Sequence, residues 1–260
     1  MCTVIILQGV SPSHPIVVAG NRDEFLERPA LPPHAWTLQG ENQRVRIFAG
    51  KDEKEGGTWF GVNQYGLVVG VTNRYTGKRD PERSSRGQLV LRCLAEDSAE
   101  RAVGILTPGE VSQYNPFNLF CLSEETGFVI THDDQRTQRL PLDQGIHILT
   151  NRAPDDPKDT KRQWLFSRLG DLPGDPEAAV ESFSQLLASH GKGDPLTAVC
   201  VHLPGYGTVS ASMLFLARKR DQSRYFYAHG SPCQARFQDL TPDLLTLLAG
   251  EEQTNCVTKG

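Results

Sequence analysis

Two sheets packed together and covered by helices, a layered mixed α/β sandwich, is the fold class that this sequence predicts. Strand-like segments bracket pairs of helical ones towards both ends of the chain, an order that fits stacked sheets better than a βαβ alternation. The 260 residues are 38% hydrophobic and 22% charged, which provides apolar material for a sizeable core without disulfide staples. No low-complexity linker and no internal repeat interrupts the pattern, so a single domain over residues 1–260 is the simplest organisation.

Two strands open the chain, Thr3–Leu7 and Ile16–Asn21, joined by the turn-rich Ser11-Pro12-Ser13-His14-Pro15. A loop punctuated by Pro29, Pro32 and Pro33 is expected next, then short strands at Val45–Phe48 and Thr58–Asn63. Leu67–Asn73 is a continuous Val-rich run bounded by Gly66, the signature of a strand buried on both faces. Gly87–Glu96 and Ala99–Leu106 read as helices, with Ser84 or Ser85 available to cap the first. Strands resume at Phe117–Leu122, Phe128–His132 and Ile146–Asn151. Asp159–Leu169 and Pro176–His190 are amphipathic helices, the second with Ala179, Val180, Phe183, Leu186 and Leu187 at helical spacing. Strands at Thr197–Leu203, Val209–Arg218, Ser223–His229 and Gln234–Phe237 and a helix at about Asp243–Leu248 complete the order.

Composition narrows the function classes. A net charge of −4 lacks the basic bias of a nucleic-acid footprint. No apolar run approaches the roughly 18 residues of a membrane span, and Val4–Leu7 is too short for a signal peptide. The six cysteines form no C-x-x-C pair, a spacing that suggests reduced thiols and a cytoplasmic location. Cys93, Cys121 and Cys200 read as small buried hydrophobes, and Cys233 and Cys256 carry no visible partner. There is no nucleophile elbow, no H-E-x-x-H, no Walker loop and no G-x-G-x-x-G, and the seven histidines show no metal-ligand spacing.

Cys2 stands apart. Removal of Met1 would leave it with a free α-amine whose ordinary pKa of about 7.7–8.0 lies close to working pH. One residue then carries both a thiol nucleophile and a base, with no catalytic histidine needed. Gly20-Asn21-Arg22-Asp23-Glu24-Phe25 ends the second strand, and strand period puts Asn21 and Asp23 on one face and Arg22 on the other. Paired beside the first strand, Asp23 would lie near the Cys2 amine and tune it. Thr72-Asn73-Arg74 and Thr150-Asn151-Arg152 each end an apolar strand. Their Asn73 and Asn151 amides suit an oxyanion hole and suit a turn equally well.

The set of motifs resembles the NRDE family, named for Asn21-Arg22-Asp23-Glu24, whose eukaryotic members are the transport and Golgi organisation proteins. The resemblance runs through Met1-Cys2, Gly20–Phe25, Arg28-Pro29, Lys54–Gly61, Leu67–Asn73, Arg86–Val90, Tyr114–Leu119, Thr150-Asn151 and Pro204–Thr208. It implies an α+β, four-layer αββα sandwich of two mainly antiparallel sheets, as in the N-terminal-nucleophile hydrolases. It further implies cleavage of a small-molecule amide, as in the cysteine amidases acting on penicillin V and conjugated bile salts. Cys2 would be nucleophile and base, Asp23 the partner of the amine, Asn151 an oxyanion donor and Asn73 a second, with Asn21 and Arg22 in support. No cofactor is required for that chemistry. The amidases usually carry Arg three positions before the Asp, where this chain has Gly20, and many family members have Arg where it has Val209. By that comparison the thiol lacks its cationic neighbour. The eukaryotic relatives also suggest another class of function, a non-catalytic carrier or trafficking protein for haem or a lipid-type ligand, for which no axial haem residue stands out. A third reading is a scaffold that keeps the fold without the chemistry.

Overall fold

A computed structural model describes residues 2–40, 44–77, 79–154, 156–170, 176–191 and 197–249. The chain begins with β1 (Cys2–Gln8), β2 (Ile16–Phe25), β3 (Ala30–Gln39), β4 (Arg44–Asp52), β5 (Phe60–Asn63) and β6 (Val68–Asn73). Helices α1 (Arg86–Leu94), α2 (Ala99–Gly104) and α3 (Pro108–Val111) follow. Next come β7 (Phe117–Leu122), β8 (Gly127–His132), β9 (Thr137–Leu142) and β10 (Gly145–Leu149), then α4 (Thr160–Phe166) and α5 (Pro176–Leu187). The last elements are β11 (His202–Leu203), β12 (Tyr206–Leu216), β13 (Arg224–His229), β14 (Gln238–Asp239) and α6 (Thr241–Leu248).

The strands form two seven-stranded antiparallel sheets. One runs β10-β1-β2-β12-β13-β14 with β11 hanging from β12, and the other runs β3 to β9 in chain order. Strand period explains the layering. Along β1 and β2, Val4, Ile6, Ile16 and Val18 face the other sheet and meet Phe48, Phe60, Val68 and Phe120. The alternate residues Ile5, Leu7, Val17 and Ala19 face outward, against Leu165 of α4 and Phe183 and Leu187 of α5. On the far side Val69, Val71 and Leu119 pack on Leu89, Val90 and Cys93 of α1 and Ala102 of α2. Both faces of the central strands are therefore apolar, which is why β6 reads as an unbroken hydrophobic run. The result is a four-layer αββα sandwich.

Several expectations are corrected. The Pro-punctuated stretch after Arg28 is not a loop: Ala30–Gln39 is the outer strand β3. Its prolines stand at a register shift between Leu31 and His34, on a sheet edge where a missing N–H does no harm. β9 at the opposite edge has a polar, half-exposed sequence that carries no strand pattern. Only His202–Leu203 of the expected Thr197–Leu203 strand pairs, and the strand expected at Gln234–Phe237 lies instead at Gln238–Asp239. The short α3 opens on a capping box between Thr107 and Glu110. No described helix is long and apolar enough to cross a membrane. Cys256 lies outside the described residues.

Candidate functional site

The hairpin of β1 and β2 sets the site. Its register places Cys2 opposite Arg22, so the thiol and the Arg22 side chain share the face turned to the other sheet. Asp23 points to the outer face, where β12 brings Thr208 opposite it. Cys2 is 5% exposed and Asp23 2%. Burial pushes the Cys2 thiol pKa up; the Asp23 backbone N–H at the sulfur and the Arg22 charge oppose it. Burial also raises the Asp23 carboxyl to about 6, against the pull of the Lys161 ammonium and the Thr208 hydroxyl. Thr208 Oγ1 donates to Asp23 Oδ1 at 2.6 Å. Lys161 of α4, itself buried, directs Nζ to Thr3 Oγ1 at 3.4 Å.

A cavity of about 550 Å³ opens at this end of the inter-sheet layer, and Arg22 lines it. Its wall also carries Arg28, Lys51, Arg79, Arg83 and Arg86, against Glu24, Asp52, Glu53 and Glu55. Asp52 engages Arg22 at 2.9 Å and Arg28 at 2.6 Å. Arg86 is different. Its guanidinium donates to the Pro116 carbonyl at 3.0 Å, and no ion pair among the described residues includes it. Desolvation brings its pKa down to about 10, with the neighbouring Arg79 charge acting the same way and the Cys2 side chain acting to raise it.

The expected lack of a cation beside the thiol is thus corrected: Arg22 and Arg86 both act on Cys2. Gly20 explains why the arginine cannot stand there on this backbone. A Cβ at Gly20 would come within 2.8 Å of the Thr3 carbonyl oxygen, and Arg22, two residues on, faces the same side. Arg86 owes its place to a close approach of two glycines. A Cβ on Gly57 would lie 2.5 Å from the Gly87 carbonyl carbon, and Thr58 N–H donates to the Gly87 carbonyl at 3.2 Å. The G-G-T-W and R-G-Q-L motifs therefore meet backbone to backbone and seat Arg86 at the start of α1. Val209 sits at the β12 bulge and lines the cavity.

The two Thr-Asn-Arg tripeptides meet each other. Thr72 Oγ1 donates to the Thr150 carbonyl at 2.8 Å, and Asn151 Nδ2 donates to the Asn73 carbonyl at 2.7 Å. Asn73 lines the cavity. β1 pairs with β10 up to Val4 opposite Leu149, and Asn151 follows two residues past the end of β10. Asn118 fastens the seam: its Nδ2 reaches the Thr150 and Arg152 carbonyls at 3.2 and 2.8 Å, and its Oδ1 accepts from Thr131 at 2.8 Å. Asn21 is a tie rather than a cavity group, since its Nδ2 donates to the Leu187 and Val199 carbonyls at 2.9 and 3.0 Å.

Lys161, Thr208, Arg86 and Asn118 went unassigned in the sequence. Lys161 has the look of a solvated helix residue and gave no signal. Thr208, Arg86 and Asn118 lie inside motifs of the resemblance, which marks them without saying what they touch.

The family model described as Transport and Golgi organisation 2 matches residues 1–227. The Transport and Golgi organization protein 2 homolog of Bos taurus is 30% identical over 234 residues, covering 77% of this chain and 82% of that protein. The Homo sapiens homolog is 28% identical over 233 residues with the same coverage, 77% and 82%. Among solved structures, a Caenorhabditis elegans N-acylethanolamine-hydrolyzing acid amidase ortholog superposes with a TM-score of 0.52 at 16% identity, covering 82% of this chain and 92% of that one. That likeness is one of fold.

Proposed function

This chain belongs to the Transport and Golgi organisation 2 family, and from that premise we propose that it is a cysteine hydrolase of linear amide bonds. The observation that carries the reading is the placement of Cys2 at the head of β1, near buried Asp23 and opposite Arg22, which lines the cation-rich cavity. Loss of Met1 frees the Cys2 amine. The amine takes the thiol proton as Sγ attacks the amide carbonyl, and the tetrahedral oxyanion is met by the side-chain amides of Asn151 and Asn73. The same amine, now an ammonium held by Asp23, returns the proton to the departing nitrogen, leaving acyl-Cys2. A water then attacks, gives a proton to the amine, and the acid leaves as the thiol is restored. Because burial raises the thiol pKa, the proton leaves during attack rather than before it. Six cationic side chains in the cavity wall against four carboxylates favour a substrate with an anionic group away from the scissile bond.

The test pairs the mass of the natural N-terminus with turnover on a panel of N-acyl amides, with and without an added carboxylate or sulfonate. The reading requires a chain lacking Met1 and turnover abolished by Cys2→Ala. Retained Met1, or turnover that survives the substitution, refutes it.

A carrier of a flat anionic ligand such as haem is the second reading. It rests on His229 and Tyr227, which line the same cavity and approach each other at 3.4 Å. Haem titration separates the two: a saturable Soret shift lost in His229→Ala supports the carrier, and an unshifted band refutes it.

A further inference from the structure

Three segments distant in sequence converge beyond the Asp23 side of β12. His190 lies just past α5, Cys200 lies just before β11, His202 opens β11, and Cys233 lies between β13 and β14. Their ligand atoms all fall within 4.8 Å of one another. Cys200 Sγ is 3.6 Å from Cys233 Sγ and 3.5 Å from His202 Nε2, and Cys233 Sγ is 3.2 Å from His202 Nε2. The His190 and His202 ring centroids are 5.2 Å apart. Around a tetrahedral zinc, with Zn–S near 2.3 Å and Zn–N near 2.0–2.1 Å, neighbouring ligand atoms stand about 3.3–3.8 Å apart. Three of the four already have roughly that spacing, and His190, at the exposed rim, closes the set by a side-chain adjustment.

We propose that His190, Cys200, His202 and Cys233 form a structural zinc site. Two thiols and two imidazoles with no carboxylate are a donor set suited to zinc and unsuited to magnesium or calcium. Binding one Zn²⁺ displaces a proton from each thiol to solvent, and the resulting complex carries no net charge. Four protein ligands leave no open position, the mark of a structural rather than a catalytic centre. A disulfide between Cys200 and Cys233 would use the sulfurs alone and give no account of two imidazoles aimed at the same point.

The site would brace Asp23. Val201, between the two ligands Cys200 and His202, donates its N–H to Thr208 Oγ1 at 2.9 Å and accepts the Thr208 N–H at 2.9 Å. Thr208 in turn donates its hydroxyl to Asp23. From the Cys233 side, Ser231 Oγ donates to the Thr208 carbonyl at 2.7 Å. A Cβ on Gly207 would lie 2.6 Å from the Val201 carbonyl oxygen, so the β11 approach and β12 are in backbone contact. Metal binding fixes both strands that hold Thr208 under the carboxylate.

The experiment uses the full chain, purified without chelator. Elemental analysis should find close to one zinc per chain. The chelator-treated, reduced chain, titrated with Co²⁺, should develop the intense visible bands of tetrahedral cobalt and a thiolate charge-transfer band, both displaced by Zn²⁺. Removing the metal should lower Tm, and zinc should restore it. Cys233→Ser and His202→Ala should weaken cobalt binding by more than the roughly 10–100-fold cost of losing an outer partner of a metal ligand. Cys2→Ala should bind cobalt as the parent does. Far-substoichiometric zinc together with no tetrahedral cobalt spectrum in the reduced parent chain overturns the proposal, whatever the variants do. So do bands that survive Cys233→Ser or vanish in Cys2→Ala, and so does a Cys200–Cys233 disulfide in the chain as isolated.

Discussion

Two thiol sites flank the β2–β12 ladder, and they differ in what surrounds the sulfur. Cys2 is buried beside Arg22, Arg86 and the backbone N–H and carboxylate of Asp23. Cys200 and Cys233 face each other and two imidazoles near the surface. Cations and N–H groups stabilise a thiolate without competing for its lone pairs, which favours a nucleophile. Thiols and imidazoles together form a donor set, which favours a metal. The same side chain thus serves two chemistries according to its partners, and the Val201–Thr208–Asp23 hydrogen bonds couple one site to the other.

The largest test of that contrast is Cys2→Ala. Turnover of N-acyl amides should fall by on the order of 10⁴-fold or more, since nucleophile and base go together. Steady-state kinetics beside circular dichroism checks it, and a loss under tenfold breaks the comparison. Asp23→Asn comes next, with an expected fall of about 10²-fold in kcat from a misheld amine and little change in KM. An equal rise in KM would assign Asp23 to substrate binding instead.

Two smaller tests concern the frame. Gly57→Ala forces a methyl against the Gly87 backbone and should cost about 1–3 kcal/mol in denaturant unfolding, the usual range for overpacking. An unchanged midpoint would separate the Gly57–Gly87 contact from the seating of Arg86. Asn118→Ala takes the side-chain donor from the Arg152 carbonyl and one of two from the Thr150 carbonyl, and should cost about 1–3 kcal/mol in denaturant unfolding.

The smallest effect is with pH. The Asp23 carboxyl is raised from 3.8 to about 6 by burial, so between those values the folded chain holds more protons than the unfolded one. Stability contributed by this group therefore falls as pH rises through that window, and Asp23→Asn should flatten the slope. Turnover should move the other way, rising with pH as Asp23 ionises and then as the Cys2 amine loses its proton near its ordinary range of about 7.7–8.0. Parallel rather than opposed trends would contradict the assignment.

Much of this was legible because local pattern and tertiary need agree. β1, β2, β6, β7 and β8 are buried on both faces, so their apolar runs name them. Asp23 followed from strand period once β2 was paired with β1. The edge strands β3 and β9 were hidden because an edge tolerates Pro and polar residues. Arg86 and Lys161 were hidden because nothing in a helical segment tells a buried cation from a solvated one. The zinc ligands were hidden for another reason. Cys200 and His202 are neighbours, but His190 and Cys233 join them only when α5 and the turn after β13 fold back on β12. The donor set is made by topology, not spacing.

The most direct measurement is intact mass of the naturally produced chain before and after brief alkylation near neutral pH, with the labelled residue located by peptide mapping. The account predicts a chain without Met1 carrying its first adduct on Cys2, with Cys200 and Cys233 protected until a chelator is added. A chain that keeps Met1, or one in which Cys2 stays unlabelled while Cys233 reacts, contradicts it.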